Sequence, residues 1–428
     1  MILTRKLYVD PDSKTASTLW FVSRCATRTW NALIEHRNKA LKAQNPCGYA
    51  TQKKLVPAMK KADERLRYPA SQVIQEVVKE LHGALKSWQT KRANGDTQCQ
   101  PPAFRRSGDF FPQHYPQRTN SFSIEQRTLK LAFGRNPKDW LTLTLPAGDY
   151  ARVKTVRLGY DRVQQRFFVC LHEEIQEAEK VERGDTLYFD PGCKTALTGI
   201  TLSGDIFEYD IQPLRELNLS TYRLIDQLMS QRDHKTRKSY AWCRLNRRIV
   251  RLWRKVKDRT RSYLHTLANQ IFASHPGLKT IRVGDWKKQE TLADTGHAFV
   301  NKRINRAVQN NNPVRMLFDF LRYKGTLRHG VCVEEFDERN TTRTCSQCLH
   351  VHDKGIAPGS RTFECEYCGF AYPRDWQAGL NFIRLYEPAA WTGLSGHLPD
   401  RSVRTTLAPF SLKAQKTQHI ARFSQVIV

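Results

Sequence analysis

Two pairs of cysteines constrain this 428-residue chain more than any other feature. Cys345 and Cys348 form one CxxC pair and Cys365 and Cys368 a second, with sixteen residues between them. Each pair offers two thiolates from one tight turn, and two such turns complete the closed tetrahedral shell of a structural zinc ion. Gly369 follows the second pair and supplies the backbone freedom such a turn uses. His350 and His352 stand nearby, but four cysteines already fill the shell. The spacing therefore predicts a small zinc-bound module rather than two unrelated thiol pairs. The other seven cysteines (Cys25, Cys47, Cys99, Cys170, Cys193, Cys243, Cys332) are scattered and read as ordinary thiols, so no disulfide framework is expected.

The charge balance points to the partner. Lys and Arg number 70 against 41 Asp and Glu, a net charge of +29, and such an excess calls for a polyanion. Basic side chains that neutralise phosphates release condensed counterions and so bind nucleic acid without reading its sequence. A membrane surface is the poorer partner, because no stretch approaches the roughly 20 apolar residues of a spanning helix. The opening residues, MILTRKLYVD, also lack the apolar run of a secretory leader. At this length, two or three domains with real cores are expected.

Residues 1–10 read as a strand. Leu19, Val22, Ala26, Trp30 and Leu33, and later Val73, Val77, Leu81, Leu85 and Trp88, recur at helical spacing, so 16 to about 95 is a helical unit. A Pro- and Arg-rich connector runs from Gly95 to Arg118. Short alternating stretches through Leu129, Leu141, Val156 and Phe167–Leu171 then predict a small β-barrel or sandwich. Strands follow at 186–190, near 195–202 and up to Tyr209, then two long helices. The second helix packs through Leu245, Ile249, Leu252, Val256, Leu264 and Leu267 and carries nine Arg or Lys against one Asp between 244 and 261. Arg244, Arg247, Arg248, Arg251, Arg254 and Lys255 are the expected phosphate contacts on it. A strand at 279–284, a polar basic loop, a helix ending near Arg322, a strand at 331–336 and a helix from Arg374 complete the pattern.

Two aspartates sit where carboxylate chemistry would need them. Asp190 ends an apolar strand before Pro191 and Gly192, and Asp375 opens a late helix after Arg374. In an RNase H-type fold the first strand and a late helix each present a carboxylate to one spot, where hard oxygen ligands hold magnesium. Two ions can there activate water and stabilise the leaving oxygen of a phosphodiester.

With these pieces in place the chain resembles the TnpB proteins of bacterial and archaeal transposons, relatives of compact type V CRISPR effectors and of Fanzor proteins. The resemblance rests on FDPG at 189–192, TTRTCSQC at 341–348, ECEYCG at 364–369 and YPRDWQAGLNF at 372–382, with PPAFR at 101–105, and covers roughly residues 1–385. It implies an α+β multidomain protein: a wedge β-barrel split into 1–15 and 116–182 by a helical recognition lobe (16–115), then a RuvC-like nuclease domain (183–344). The zinc ribbon (345–368), the final nuclease helix (369–388) and a flexible basic tail (389–428) would follow. It also implies a prokaryotic cytoplasmic protein, nucleoid-associated when bound to DNA. The implied partners are a guide RNA and a double-stranded DNA target cut beside a short flanking motif.

The middle acid departs from the common pattern. Many relatives carry a glutamate in the strand at 281–286, where this chain has IRVGDW and places Gly284 at the expected position. Asp285 and Glu338 are the substitutes. One step of strand register turns Asp285 to the opposite face, and some relatives with glycine in that strand resemble this chain in placing a glutamate before the first zinc cysteine. The expected magnesium ligands are therefore Asp190, Glu338 and Asp375, although Glu338 could also be a solvated acid among Glu334, Glu335 and Asp337. The competing functions are an RNA-guided DNA-binding regulator with a decayed site and a DDE-type transposase without RNA.

Overall fold

The computed structural model describes residues 1–45, 47–134, 136, 139–192, 197–285, 313–338, 340–352, 360–394 and 398–406. These divide into two compact units, one within Met1–Ile175 and the other from Gln176 onward. Cys193, the loop expected after Asp285 and the chain beyond 406 lie outside the described residues. Among the described residues no helix is long and apolar enough to cross a membrane.

In the first unit, strand β1 (Ile2–Val9) buries Leu3, Leu7 and Val9 on alternate positions. Asp12 then caps helix α1 (Ser13–Lys42) by accepting the Thr15 N–H at 2.7 Å, so the helix begins three residues before the expected boundary at 16. The buried stripe of α1 includes Leu19, Val22, Ala26, Trp30 and Leu33, and it packs with α2 (Tyr49–Ala62) and α3 (Ser71–Ala93). The proline-rich connector is pinned to α1 by paired hydrogen bonds: Asn31 Nδ2 donates to the Arg105 carbonyl at 2.9 Å, and the Arg105 N–H donates to Asn31 Oδ1 at 2.8 Å.

Six further strands follow: β2 (Gln113–Tyr115), β3 (Phe122–Glu125), β4 (Thr128–Leu131), β5 (Leu141–Thr144), β6 (Val153–Asp161) and β7 (Arg166–Glu174). β1 returns across the whole helical insert to pair with β7, in a sheet ordered β1-β7-β6-β2, while β3-β4-β5 form a second sheet over the same core. β2 lies inside the span expected to be helical up to 115. Gln113 and Tyr115 are fully buried there, and Gln113 Nε2 donates to the Leu19 carbonyl at 2.7 Å. Three residues are too short a run for alternation to reveal the strand.

The second unit is built on a six-stranded sheet. In chain order its strands are β8 (Asp185–Pro191), β9 (Leu197–Thr201), β10 (Ile206–Asp210), β11 (Leu278–Gly284), β12 (Cys332–Phe336) and β15 (Ser402–Thr406), and in space they run β12-β11-β8-β9-β10-β15. Strands β13 (Thr362–Glu364) and β14 (Ala371–Pro373) form a separate two-stranded sheet. β8, β9 and β10 are antiparallel neighbours, whereas β11 and β12 run parallel to β8. One face is covered by the C-terminal half of α5 (Tyr240–Ser274) and by α6 (Val314–Lys324), through Leu187, Phe189, Ile281, Val283, Leu267, Ile271 and Leu317. The other face receives α7 (Arg374–Tyr386) and α8 (Pro388–Leu394) through Tyr188, Ile200, Ala378, Leu380 and Phe382. α4 (Gln212–Asp233) pairs with the N-terminal half of α5 over a separate small core of Ile225, Leu228, Ile249 and Val256.

The expected flexible tail is corrected in its first half. Residues 388–394 form α8, with Leu394 buried, and Ser402–Thr406 add β15 parallel to β10 at the edge of the sheet. A seven-residue helix and a five-residue edge strand carry too little periodicity to be read from sequence.

Candidate functional site

Strand alternation decides where the acids point. Leu187 and Phe189 of β8 face α5 and α6, so Tyr188 and, two residues on, Asp190 face α7. On β11, Ile281 and Val283 face α5 and α6 likewise, leaving Arg282 and Gly284 on the α7 side. Val283 pairs with Phe189, so Gly284 stands one step on, level with Asp190. Asp375, in the first turn of α7, is the acid that this helix brings to the same face.

Glu338 occupies the place left by Gly284. A Cβ at position 284 would overlap Glu338 Oε2 and fall 2.9 Å from its carboxyl carbon. Glu338 Oε2 is itself buried and has no hydrogen-bond partner among the described residues, which leaves its lone pairs available to a cation. The electrostatics agree. Burial, then the charges of Glu338 and Asp375, hold the Asp190 carboxyl well above its ordinary range, with Arg374 opposing. Burial, then Asp285 and Asp337, pushes Glu338 up to about 7. A buried carboxyl such as Asp190, whose ionisation two neighbouring acids oppose, is one that a divalent cation would relieve. Asp285 lies near enough to act on Glu338, but the charges that act on Asp190 are those of Glu338, Asp375 and Arg374.

Helix α7 also holds the segment that carries Glu338. Asn381 Nδ2 donates to the carbonyls of Thr341 and Thr344 at 2.6 and 2.7 Å, and Gln377 Nε2 donates to Thr344 O at 2.8 Å. Ser346 Oγ donates to Gln377 Oε1 at 2.8 Å, Arg384 donates to the Ser346 carbonyl, and Tyr386 OH donates to Asp337 O at 2.9 Å. The turn itself is closed by Thr341, whose N–H and hydroxyl both donate to Glu338 O, at 3.2 and 2.7 Å. The helix that carries one acid thus fixes the backbone of another. Sequence reading passed over Gln377 and Asn381, although two amides four residues apart on the apolar face of a helix are a signal, since a buried amide must find partners.

Beside Asp375 opens a cavity of about 570 Å³ lined by Arg215, Arg361, Arg374 and Arg404 with Glu208 and Asp210. Arg361 Nη1 lies 3.7 Å from Asp375 Oδ2, and Arg404 pairs with Asp210 at 3.0 Å. This cluster of cations beside a carboxylate was not anticipated, because its members are scattered over two hundred residues of sequence.

The four cysteines come together as expected. Their sulfurs all lie within 4.8 Å of one another, with Cys345 and Cys368 3.7 Å apart and Cys348 and Cys365 3.6 Å apart. The two knuckles share one backbone plan. Leu349 and Gly369, each just after its pair, have positive φ (65° and 72°) and donate to the carbonyl of the first cysteine, Cys345 or Cys365, at 3.0 and 2.9 Å. Such a thiolate shell could hold a structural zinc. Among the described residues it is the one group of three or more His, Cys, Asp or Glu donors drawn close enough to share an ion. His350 and His352 lie outside it, and His352 pairs with Glu366 at 3.1 Å.

Of the expected phosphate contacts on α5, Arg244, Arg247, Arg248, Arg251 and Lys255 are exposed. Arg254 is only partly so, with Asp258 3.8 Å away.

The fold and site define a mixed α/β protein with a carboxylate-bearing sheet and a four-cysteine ribbon between two of its acids. A model of the Cas12f1-like TNB domain matches residues 315–382. A proposed transposase of Acanthamoeba polyphaga mimivirus is 27% identical over 53% of this chain and 45% of its own length. A proposed RNA-guided DNA endonuclease of Mycobacterium tuberculosis is 23% identical over 51% of the chain and 46% of its own length. The matched region spans a little under half of these curated relatives. In fold, the chain is similar to the Cas12f1 protein solved with sgRNA and target DNA (TM-score 0.59, 12% identity, 86% of this chain and 82% of that one). It is also similar to the mini-RNA-guided endonuclease CRISPR-Cas phi3 (TM-score 0.50, 10% identity, 90% and 92%). The chain is thus similar in sequence to transposase and TnpB-like proteins, and in fold to compact Cas12 effectors.

Proposed function

We propose that this protein is an RNA-guided DNA endonuclease that binds a guide RNA and cleaves complementary double-stranded DNA beside a short flanking motif by metal-dependent hydrolysis. The observation that carries the reading is the convergence of Asp190, Glu338 and Asp375 on one face of the sheet, with Glu338 filling the space above Gly284. The strand order β10-β9-β8-β11-β12, antiparallel and then parallel, supports an RNase H-like (RuvC) nuclease. The pairing of β1 with β7 across a helical insert supports a split wedge barrel with a recognition lobe.

In this reading Asp190, Glu338 and Asp375 are the residues that would hold Mg2+. One or two such ions, when bound, would polarise the scissile phosphate and acidify the attacking water. Arg361 and Arg374, beside Asp375, meet the phosphate backbone and offset its charge at the cut. The exposed arginines of α5 hold the RNA or the heteroduplex by its backbone, leaving sequence to base pairing. The four cysteines hold zinc and shape the segment between Glu338 and Asp375.

The regulator reading drew its main support from Gly284, and Glu338 in that place removes the need for a decayed site. A transposase acting without RNA does not account for the ribbon between the second and third acids. The test is to purify the protein from its native locus, sequence the RNA bound to it and challenge a matching DNA with Mg2+. A discrete RNA and guide-dependent cleavage are expected; protein without a discrete RNA would remove the reading.

A further inference from the structure

We propose that Gly284 is a positioning residue: its missing side chain is the seat of the Glu338 carboxylate, so positions 284 and 338 share one place at the centre and only one of them can carry a side chain into it. The inference rests on the reading of Asp190, Glu338 and Asp375 as the cleavage centre, and adds what keeps the second acid there.

The geometry leaves Glu338 little choice. Its backbone is closed into a turn by the two Thr341 bonds to its carbonyl, and Asn381 ties that turn to α7. The Glu338 Cβ already stands 3.3 Å from where a Cβ at 284 would be, and the carboxyl carbon stands 2.9 Å from it. A methyl group at 284 therefore cannot be accommodated by a shift of the turn. It is accommodated by swinging the carboxylate away, and Oε2 has no hydrogen bond to resist that. A flexible side chain gives way at low cost, so the penalty falls on the position of the acid and not on the fold. The same geometry makes the two positions exchangeable. A glutamate borne at 284 would rise from a strand position level with Asp190, provided that 338 were cleared.

The test uses the guide-bound protein and compares wild type with Gly284→Ala, Glu338→Gly, Gly284→Glu/Glu338→Gly and Gly284→Ala/Glu338→Gly. Cleavage of guide-matched duplex at saturating Mg2+, target binding, melting temperature and Mn2+ binding by electron paramagnetic resonance are read for each. Gly284→Ala is expected to melt and bind target like wild type while cutting about 100-fold more slowly, as a displacement of roughly 1 Å at a reacting centre can cost. Its Mn2+ affinity should fall about 10-fold or more, the scale at which mispositioned ligands are felt. Gly284→Glu/Glu338→Gly should regain cleavage and Mn2+ affinity relative to Glu338→Gly, which a merely structural glycine would not allow. If Gly284→Ala fails to fold, Gly284→Ala/Glu338→Gly should fold, because the carboxylate that the methyl meets is gone; failure of both overturns the inference. Gly284→Ala that cuts and binds Mn2+ like wild type overturns it too, while leaving the nuclease reading intact. A wild type that neither cuts nor binds Mn2+ through Asp190 removes the nuclease reading itself.

Discussion

At the scale of single residues, two acids of the centre, Asp190 and Glu338, are held against their own ionisation. Glu338 keeps its proton in the folded chain up to about pH 7, against an ordinary value of 4.5. Between those values the folded state binds more protons than the unfolded one, so the metal-free protein loses stability as pH rises from about 4.5 and levels off above about 7. Glu338→Gln removes that loss. Its melting temperature without metal should exceed that of wild type at pH 8, and the difference should close below pH 4.5. Cleavage should move the other way, with a large loss for Glu338→Gln and a small one for Asp285→Asn at saturating Mg2+. A larger loss for Asp285→Asn would transfer the third role to that residue. Asp190, Asp375 and the four cysteines were legible in the sequence because turn, helix start and spacing mark them. Glu338 needed a resemblance, because the seat it fills is made by an absence on another strand.

At the scale of elements, helix α7 is the part on which the centre depends. Asn381 satisfies two carbonyls of the turn after Glu338, and the side chain is 1% exposed. Asn381→Ala would take the side-chain donor from the Thr341 carbonyl, Gln377 still donating to that of Thr344, and should cost about 1–3 kcal/mol in urea unfolding. It should also slow cleavage, since the turn that presents Glu338 loses its tether. The ribbon should behave as a unit: metal analysis is expected to find one zinc in wild type, and Cys345→Ser or Cys368→Ser to abolish it and to lower cleavage through the acids on either side. Pure wild-type protein without zinc would contradict the assignment. The long elements were legible from their periodicity. β2, α8 and β15 were not, because three to seven residues gain their identity from what they pack on, as Leu394 does beneath Gly204.

At the scale of the whole molecule, the +29 charge and the exposed basic face of α5 belong to one function. Replacing Arg247, Arg248 and Arg251 by Glu should weaken guide or target binding and flatten its dependence on salt by roughly one unit of log–log slope for each lost contact. An unchanged slope for both RNA and DNA would mark that face as merely solvated. Charge was readable from composition, but the return of β1 to β7 was expected only through the resemblance, because a pairing across some 160 residues leaves no local trace. The central claim is that guide-directed binding and carboxylate chemistry are separable in this chain. The most direct measurement is binding and cleavage of a guide-matched duplex by the RNA-loaded protein, wild type against Asp190→Ala, with Mg2+ present. The account predicts equal binding, with strand cleavage by wild type alone. A wild type that binds and never nicks, or an Asp190→Ala variant that cuts as fast, would contradict it.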